Sequence, residues 1–186
     1  MKKTVSVAPM MDCTDKHEIY FLSLISKNAQ FYSEMIVANA IIRGDRDKLL
    51  SLKKISNPVA LQLGGSNPDE LAEACKISED YGYKEINLNL GCPSKKVQKN
   101  KFGACLMQEP NLVAKCVEAM SKATKLPITI KTRIGYNEVE NFEFLKSFVQ
   151  RTKDAGSQKF VIHARKALLK KLSPKENLNI PPLKYD

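Results

Sequence analysis

EINLNLGCPSKKVQKNKFGACLM, residues 85–107, decides the fold. Its opening alternates, with Ile86, Leu88 and Leu90 apolar, which reads as a strand. A Gly-Cys-Pro-Ser turn ends that strand and a basic loop follows. Phe102-Gly103-Ala104-Cys105-Leu106-Met107 then brings a second cysteine, just ahead of a helix. A thiol on a loop past the C-terminal end of a strand stands where parallel barrels gather reactive groups.

Outward from this stretch, strand-like and helix-like segments alternate. The strand candidates are Val5–Met10, Phe31–Ile36, Val59–Leu63, Glu85–Leu90, Pro127–Arg133 and Lys159–His163. Most are short, apolar and bounded by Gly, Pro or Asn, as buried parallel strands are. Helices are predicted over Asp15–Ser26, Arg43–Ser51, Pro68–Tyr81, Pro110–Thr124 and Val139–Ala155. Asn67 as N-cap, Pro68 in the first turn, Glu70 at capping-box spacing and Gly82 at the end specify the third helix best. Repeated βα units imply an α/β fold with a parallel sheet, either doubly wound or a (β/α)8 TIM barrel. No G-x-G-x-x-G follows the first strand, which removes a dinucleotide-type start. Polar or reactive groups fall at strand ends instead: Asp12, Glu34, Gln62, Asn89, Lys131 with Arg133, and His163 with Arg165. That ring of groups favours the barrel. The count is about six of the eight βα units a closed barrel needs, so the barrel is expected to be incomplete.

The 186 residues suffice for one domain with a sizeable core. No apolar run approaches a membrane span, and MKKTVSVAPMMD meets Pro9 and Asp12 too early for a secretory leader, so no membrane role is expected and the chain reads as cytoplasmic. Five cysteines without a CxxC pair, with only two histidines, give no support for a metal site or a disulfide framework. Cys75 and Cys116 sit in helical patterns and read as small buried hydrophobes. A formal charge of +10 attracts polyanions, although lysine-rich surfaces also serve solubility.

The strand-end groups suit a flavin. Such a ring needs hydrogen bonds at its pyrimidine edge, a cation near N1 and a close backbone wall. Gln62 can supply the amide bonds, Lys131 the cation, His163 a further donor, and Ala8-Pro9-Met10 the wall. Hydride addition to a C=C bond conjugated with a carbonyl leaves an enolate that a thiol can protonate. Cys105 is the thiol assigned to that step, since Gly103-Ala104 lets its loop approach a flat substrate closely. A nucleophilic thiolate paired with His163 is the rival role.

VAPMMDCTD (7–15), ALQLGGSNP (60–68), EINLNLGCPSKKVQ (85–98), FGACLM (102–107), ITIKTRIG (128–135) and VIHARKALLKKLSPKENLNIPPLKYD (161–186) together resemble the tRNA-dihydrouridine synthases, and the last segment resembles the subgroup acting on D-loop uridines 20 and 20a. The resemblance implies an FMN-bearing TIM barrel followed by a small helical tRNA-binding domain, monomeric when full-length. It implies NADPH as reductant, hydride transfer from FMN to C6 of uracil, and protonation of C5 by Cys105. FMN contacts carry over to Pro9, Met10, Gln62, Lys131 and His163; Asn89, Arg133, Arg165 and Lys166 match positions near the target base or its tRNA. Residues 1–186 are then expected to be the N-terminal part of the FMN-binding barrel, with the last strands and the helical domain beyond them.

Two departures stand out. Asn100 occupies a position where the family usually has glycine, and His17-Glu18-Ile19 replaces a His-Phe-Arg run. Two other readings stay open: a flavin barrel acting on free pyrimidines, and an inactive fragment that at most binds RNA.

Overall fold

The computed structural model describes residues 4–170 and 180–185. Six parallel strands form one sheet: β1 (Ser6–Val7), β2 (Gln30–Val37), β3 (Val59–Gly64), β4 (Glu85–Leu90), β5 (Ile128–Arg133) and β6 (Lys159–His163). Their spatial order equals their chain order. A doubly wound sheet reverses direction at a switch point; this one does not, and helices fill every crossover. The sheet is the arc of an incomplete (β/α)8 barrel. The helices are α1 (Lys16–Ile25), α2 (Ala38–Arg43), α3 (Arg46–Leu50), α4 (Pro68–Ser78), α5 (Lys95–Lys99), α6 (Pro110–Ala123) and α7 (Phe142–Asp154).

Alternation along each strand sorts the side chains into two environments. Leu61, Leu63, Ile86, Leu88, Leu90 and Ile130 join one buried core with residues of α4 and α6 such as Leu71, Val113, Val117 and Met120. Each such side chain contributes about 1.5–3 kcal/mol by burial. The intervening residues, Gln62, Glu85, Asn87, Asn89, Thr129 and Lys131, share the other face through paired registers such as Gln62↔Asn87 and Asn89↔Lys131.

Four local expectations need correction. β1 is only two residues long, because Met10 O accepts from Cys13 N (3.2 Å) and Thr14 N (3.0 Å) and turns the chain out of the sheet. The helix expected over 43–51 is broken at Gly44, where a Cβ would lie 2.5 Å from Ala40 O; Asp45 then caps α3 through Lys48 N at 3.0 Å. The helix expected from Val139 starts at Phe142, behind an Asn141 cap, since Asn137 takes a left-handed φ of 45°. The basic loop contains α5, and Cys105 lies in a 3-10 turn over Gly103–Gln108. The third helix keeps its Asn67 cap, but Glu70 Oε1 accepts from Asn39 Nδ2 at 3.0 Å. Residues 171–179 of the basic, Pro-containing segment lie outside the described residues.

Candidate active site

A cavity of about 270 Å³ opens at the C-terminal ends of the strands. Six residues singled out from the sequence line it together: Pro9, Gln62, Asn89, Lys131, Arg133 and His163. Met11, Met35 and the Gly91-Cys92-Pro93 turn complete the wall. Among the described residues, no carboxylate lines it. Met10 does not line it: its N–H donates to Thr14 Oγ1 at 2.9 Å, its side chain is exposed, and Met11 takes its place.

Cys105 is also absent from the lining. Its thiol donates to Phe102 O at 3.1 Å, and burial pushes its pKa up. The cysteine that lines the cavity is Cys92. Asn89 Oδ1 accepts from Gly91 N (3.1 Å) and Cys92 N (3.0 Å), which folds the strand end back and holds Cys92 at the rim. The Cys105 turn buttresses it from behind, with Ala104 N donating to Cys92 O at 2.9 Å. The sequence signal for this was the Asn three residues before a Cys at the end of β4; spacing alone did not separate the two thiols.

The polar groups are unequally engaged. Arg133 is a strut, donating from Nε to Gly91 O at 2.7 Å and from Nη1 to Lys166 O at 3.3 Å. Lys166 pairs with Glu140 at 3.4 Å. Neither it nor Arg165 lines the cavity, and Arg165 Nε is buried with no partner among the described residues. No side-chain hydrogen bond engages Lys131 or His163 among the described residues. Burial, then the Arg133 charge, lowers the Lys131 pKa; burial, then Arg133, Lys131 and Arg165, lowers that of His163. Gln62 Nε2 donates to Asn87 Oδ1 and its Oε1 accepts from Asn89 Nδ2, both at 2.8 Å. An amide carries two N–H groups, so Gln62 and Asn89 each keep one unspent.

A family model described as dihydrouridine synthase matches residues 6–186. The chain belongs to the dihydrouridine synthase family. Curated relatives named tRNA-dihydrouridine(20/20a) synthase support the same placement. One from Synechocystis sp. is 54% identical over 182 residues, covering 98% of this chain and 54% of its own. One from Shewanella oneidensis is 52% identical over 186 residues, covering 100% of this chain and 55% of its own. The chain therefore spans about half the length of the curated relatives it matches. Within this dihydrouridine synthase arc, no helix among the described residues is long and apolar enough to cross a membrane.

Proposed function

We propose that this chain supplies the cavity-bearing part of an FMN-dependent tRNA-dihydrouridine synthase, which saturates the C5=C6 bond of D-loop uridines 20 and 20a with NADPH as the electron source. The observation that carries this reading is a carboxylate-free cavity at the strand ends, lined by Gln62, Asn89, Cys92, Lys131 and His163, in a chain of this family. The residues fit a flavin: Gln62 has an amide N–H to give, Lys131 an unengaged cation, His163 a ring nitrogen, and Pro9 a backbone wall. FMN, when bound, supplies the hydride that goes to C6 of the uracil ring.

The chain's own groups do the rest. Asn89 and Arg133 orient the base, and the Cys92 Sγ–H passes its proton to C5, so one hydride and one proton add across the double bond. The acid is assigned to Cys92 instead of Cys105 because Cys92 lines the cavity while the Cys105 thiol is spent on Phe102 O. A stacked uracil must be extruded to reach these groups. Arg165, Lys166 and the excess positive charge suit tRNA phosphates, once Lys166 exchanges its Glu140 partner for one. Residues 1–186 form the N-terminal part of the FMN-binding barrel in this reading; that they are a part and not the whole fits the coverage of about half of each curated relative.

The formal charge of +10 favours a second reading as well, in which the chain binds RNA without turnover. One experiment separates them: the purified chain is mixed with FMN, NADPH and an unmodified tRNA transcript, and flavin retention and dihydrouridine are measured. Bound flavin with dihydrouridine in the tRNA supports the synthase. Bound flavin with reduction of free uracil alone points to a free-pyrimidine enzyme, and RNA binding without flavin to the second reading.

A further inference from the structure

A column of hydrogen bonds climbs the inner face of the sheet from Glu85 to the cavity. Thr129 Oγ1 donates to Glu85 Oε1 (2.6 Å), and Asn87 Nδ2 donates to Thr129 Oγ1 (2.9 Å). Gln62 Nε2 donates to Asn87 Oδ1 (2.8 Å), and Asn89 Nδ2 donates to Gln62 Oε1 (2.8 Å). Asn89 Oδ1 then takes the Gly91 and Cys92 amides. Every bond points the same way, toward Glu85.

The direction has a cause. Glu85 is 6% exposed and ion-paired with Lys159, and it also accepts from Gln30 Nε2 (2.9 Å) and Tyr32 Oη (3.1 Å). A carboxylate in such a pair can only accept. Thr129 must therefore spend its single proton downward, which leaves only a lone pair for Asn87. Asn87 must turn its NH2 to Thr129 and its oxygen to Gln62, and the constraint passes on to Gln62 and Asn89. A reversed amide anywhere in the column would set NH2 against NH2, or oxygen against oxygen, in a buried place.

We infer that Glu85 is a positioning residue: the carboxylate polarises this column and so presents Gln62 and Asn89 to the cavity as N–H donors. Asn89 lies four residues along β4 from Glu85, about 13 Å away at strand rise, so Glu85 acts through the column and not by touching the ligand. The cavity then offers donors from Gln62, Asn89, Lys131 and Arg133, with the His163 ring beside them and no carboxylate among the described residues to compete for them. That set matches the carbonyl edge of a pyrimidinedione, the group that a flavin and a uracil share. This assignment deepens the proposed function and rests on it for the identity of the ligand.

The test compares Glu85→Gln, Glu85→Asp, Lys159→Met and Thr129→Val in the full chain. An amide at position 85 can donate to Thr129 and remove the bias from below on Asn87 and Gln62, while Asn89 stays held from above by the Gly91 and Cys92 amides. Thr129→Val cuts the column one step up and leaves the ion pair in place. Side-chain amide NMR signals of Gln62, Asn87 and Asn89 are read without any ligand, and FMN affinity is read by fluorescence. E85Q and T129V are expected to shift those amide signals and weaken FMN roughly 5- to 150-fold, the loss of two neutral hydrogen bonds at about 0.5–1.5 kcal/mol each. E85D is expected to stay near the parent, and K159M to lower stability while leaving FMN affinity within about twofold. Unchanged amide signals in both E85Q and T129V, or equal FMN weakening in E85Q and K159M, would overturn the inference. A parent chain that takes no FMN while E85Q and T129V still shift the amide signals would sink the flavin reading and leave the column standing.

Discussion

Gly103→Ala tests how the two cysteine turns fit together, and Gly82→Ala is its matched control. Both glycines have left-handed φ values, 76° at Gly103 and 83° at Gly82. A side chain forced into that region costs about 1–2 kcal/mol at either position. Their surroundings differ. A Cβ at Gly82 meets nothing within 4 Å, whereas one at Gly103 would lie 2.5 Å from Val97 Cγ1 and 2.7 Å from Cys92 O. The Cys92 carbonyl already accepts from Ala104 N at 2.9 Å, so it yields only by moving the cavity wall. Overpacking of that kind adds about 1–3 kcal/mol. G103A is therefore expected to cost about 2–5 kcal/mol and G82A about 1–2 kcal/mol. At a urea slope of about 2 kcal/mol/M, the midpoints fall by about 1–2.5 M and 0.5–1 M respectively. G103A should also weaken FMN binding, because Cys92 shifts with its carbonyl; G82A should not. Equal midpoints for the two variants would show that the packing argument at Cys92 is wrong.

Other consequences follow from the site. Cys92→Ala should abolish dihydrouridine formation with FMN still bound, while Cys105→Ala keeps most activity; nucleoside mass spectrometry decides, and the reverse pattern would restore the acid role to Cys105. Lys131→Met should stabilise the ligand-free chain by about 1 kcal/mol, by removing a half-buried cation beside Arg133, yet weaken FMN; a less stable variant in urea counts against this. The His163 pKa is depressed in the folded chain, so the unfolded chain takes up its proton first as pH falls below the ordinary imidazole value of about 6.5. Stability present above that value is lost as pH drops through the folded-state pKa; urea midpoints should show this slope, and His163→Asn should flatten it. Lys95, Lys96, Lys99 and Lys101 are exposed and form no ion pair among the described residues. Replacing all four with Gln should lower the salt slope of tRNA binding by about 3, and an unchanged slope would remove α5 from the RNA path.

Much of this fold could be read in advance because the strands are short runs punctuated by Gly, Pro and Asn. β4 and β6 match their expected ends, and β3 extends by only one residue. The misses have local causes. α5 has no apolar period to reveal it: only Val97 is buried, and its helical turn is fixed by the Ser94 cap and by Asn100 Nδ2 bonding Lys96 O at 2.8 Å. Asn100 itself keeps a negative φ of −91° and the left-handed φ of 57° falls on Lys101, so the backbone at position 100 does not require a glycine. Both thiols were visible, but which one faces the cavity depends on a turn made by a side-chain oxygen, Asn89 Oδ1. The alternation of Glu85, Asn87 and Asn89 was legible as well; the register that stacks them against Thr129 and Gln62 was not.

That register also explains why the column is built of amides. The sheet carries two charged layers: Glu85 with Lys159 low in the arc, and Lys131, Arg133 and His163 at the rim. Asn89 is the register partner of Lys131. A carboxylate at position 89 would meet the Lys131 cation directly and satisfy it, since opposite charges at such spacing favour the paired form. It would also lose the N–H that Asn89 gives to Gln62 and break the polarity set from below. Neutral amides avoid both outcomes. They carry the orientation of Glu85 upward without carrying its charge, so among the described residues Lys131 keeps its cation for whatever ligand enters the cavity.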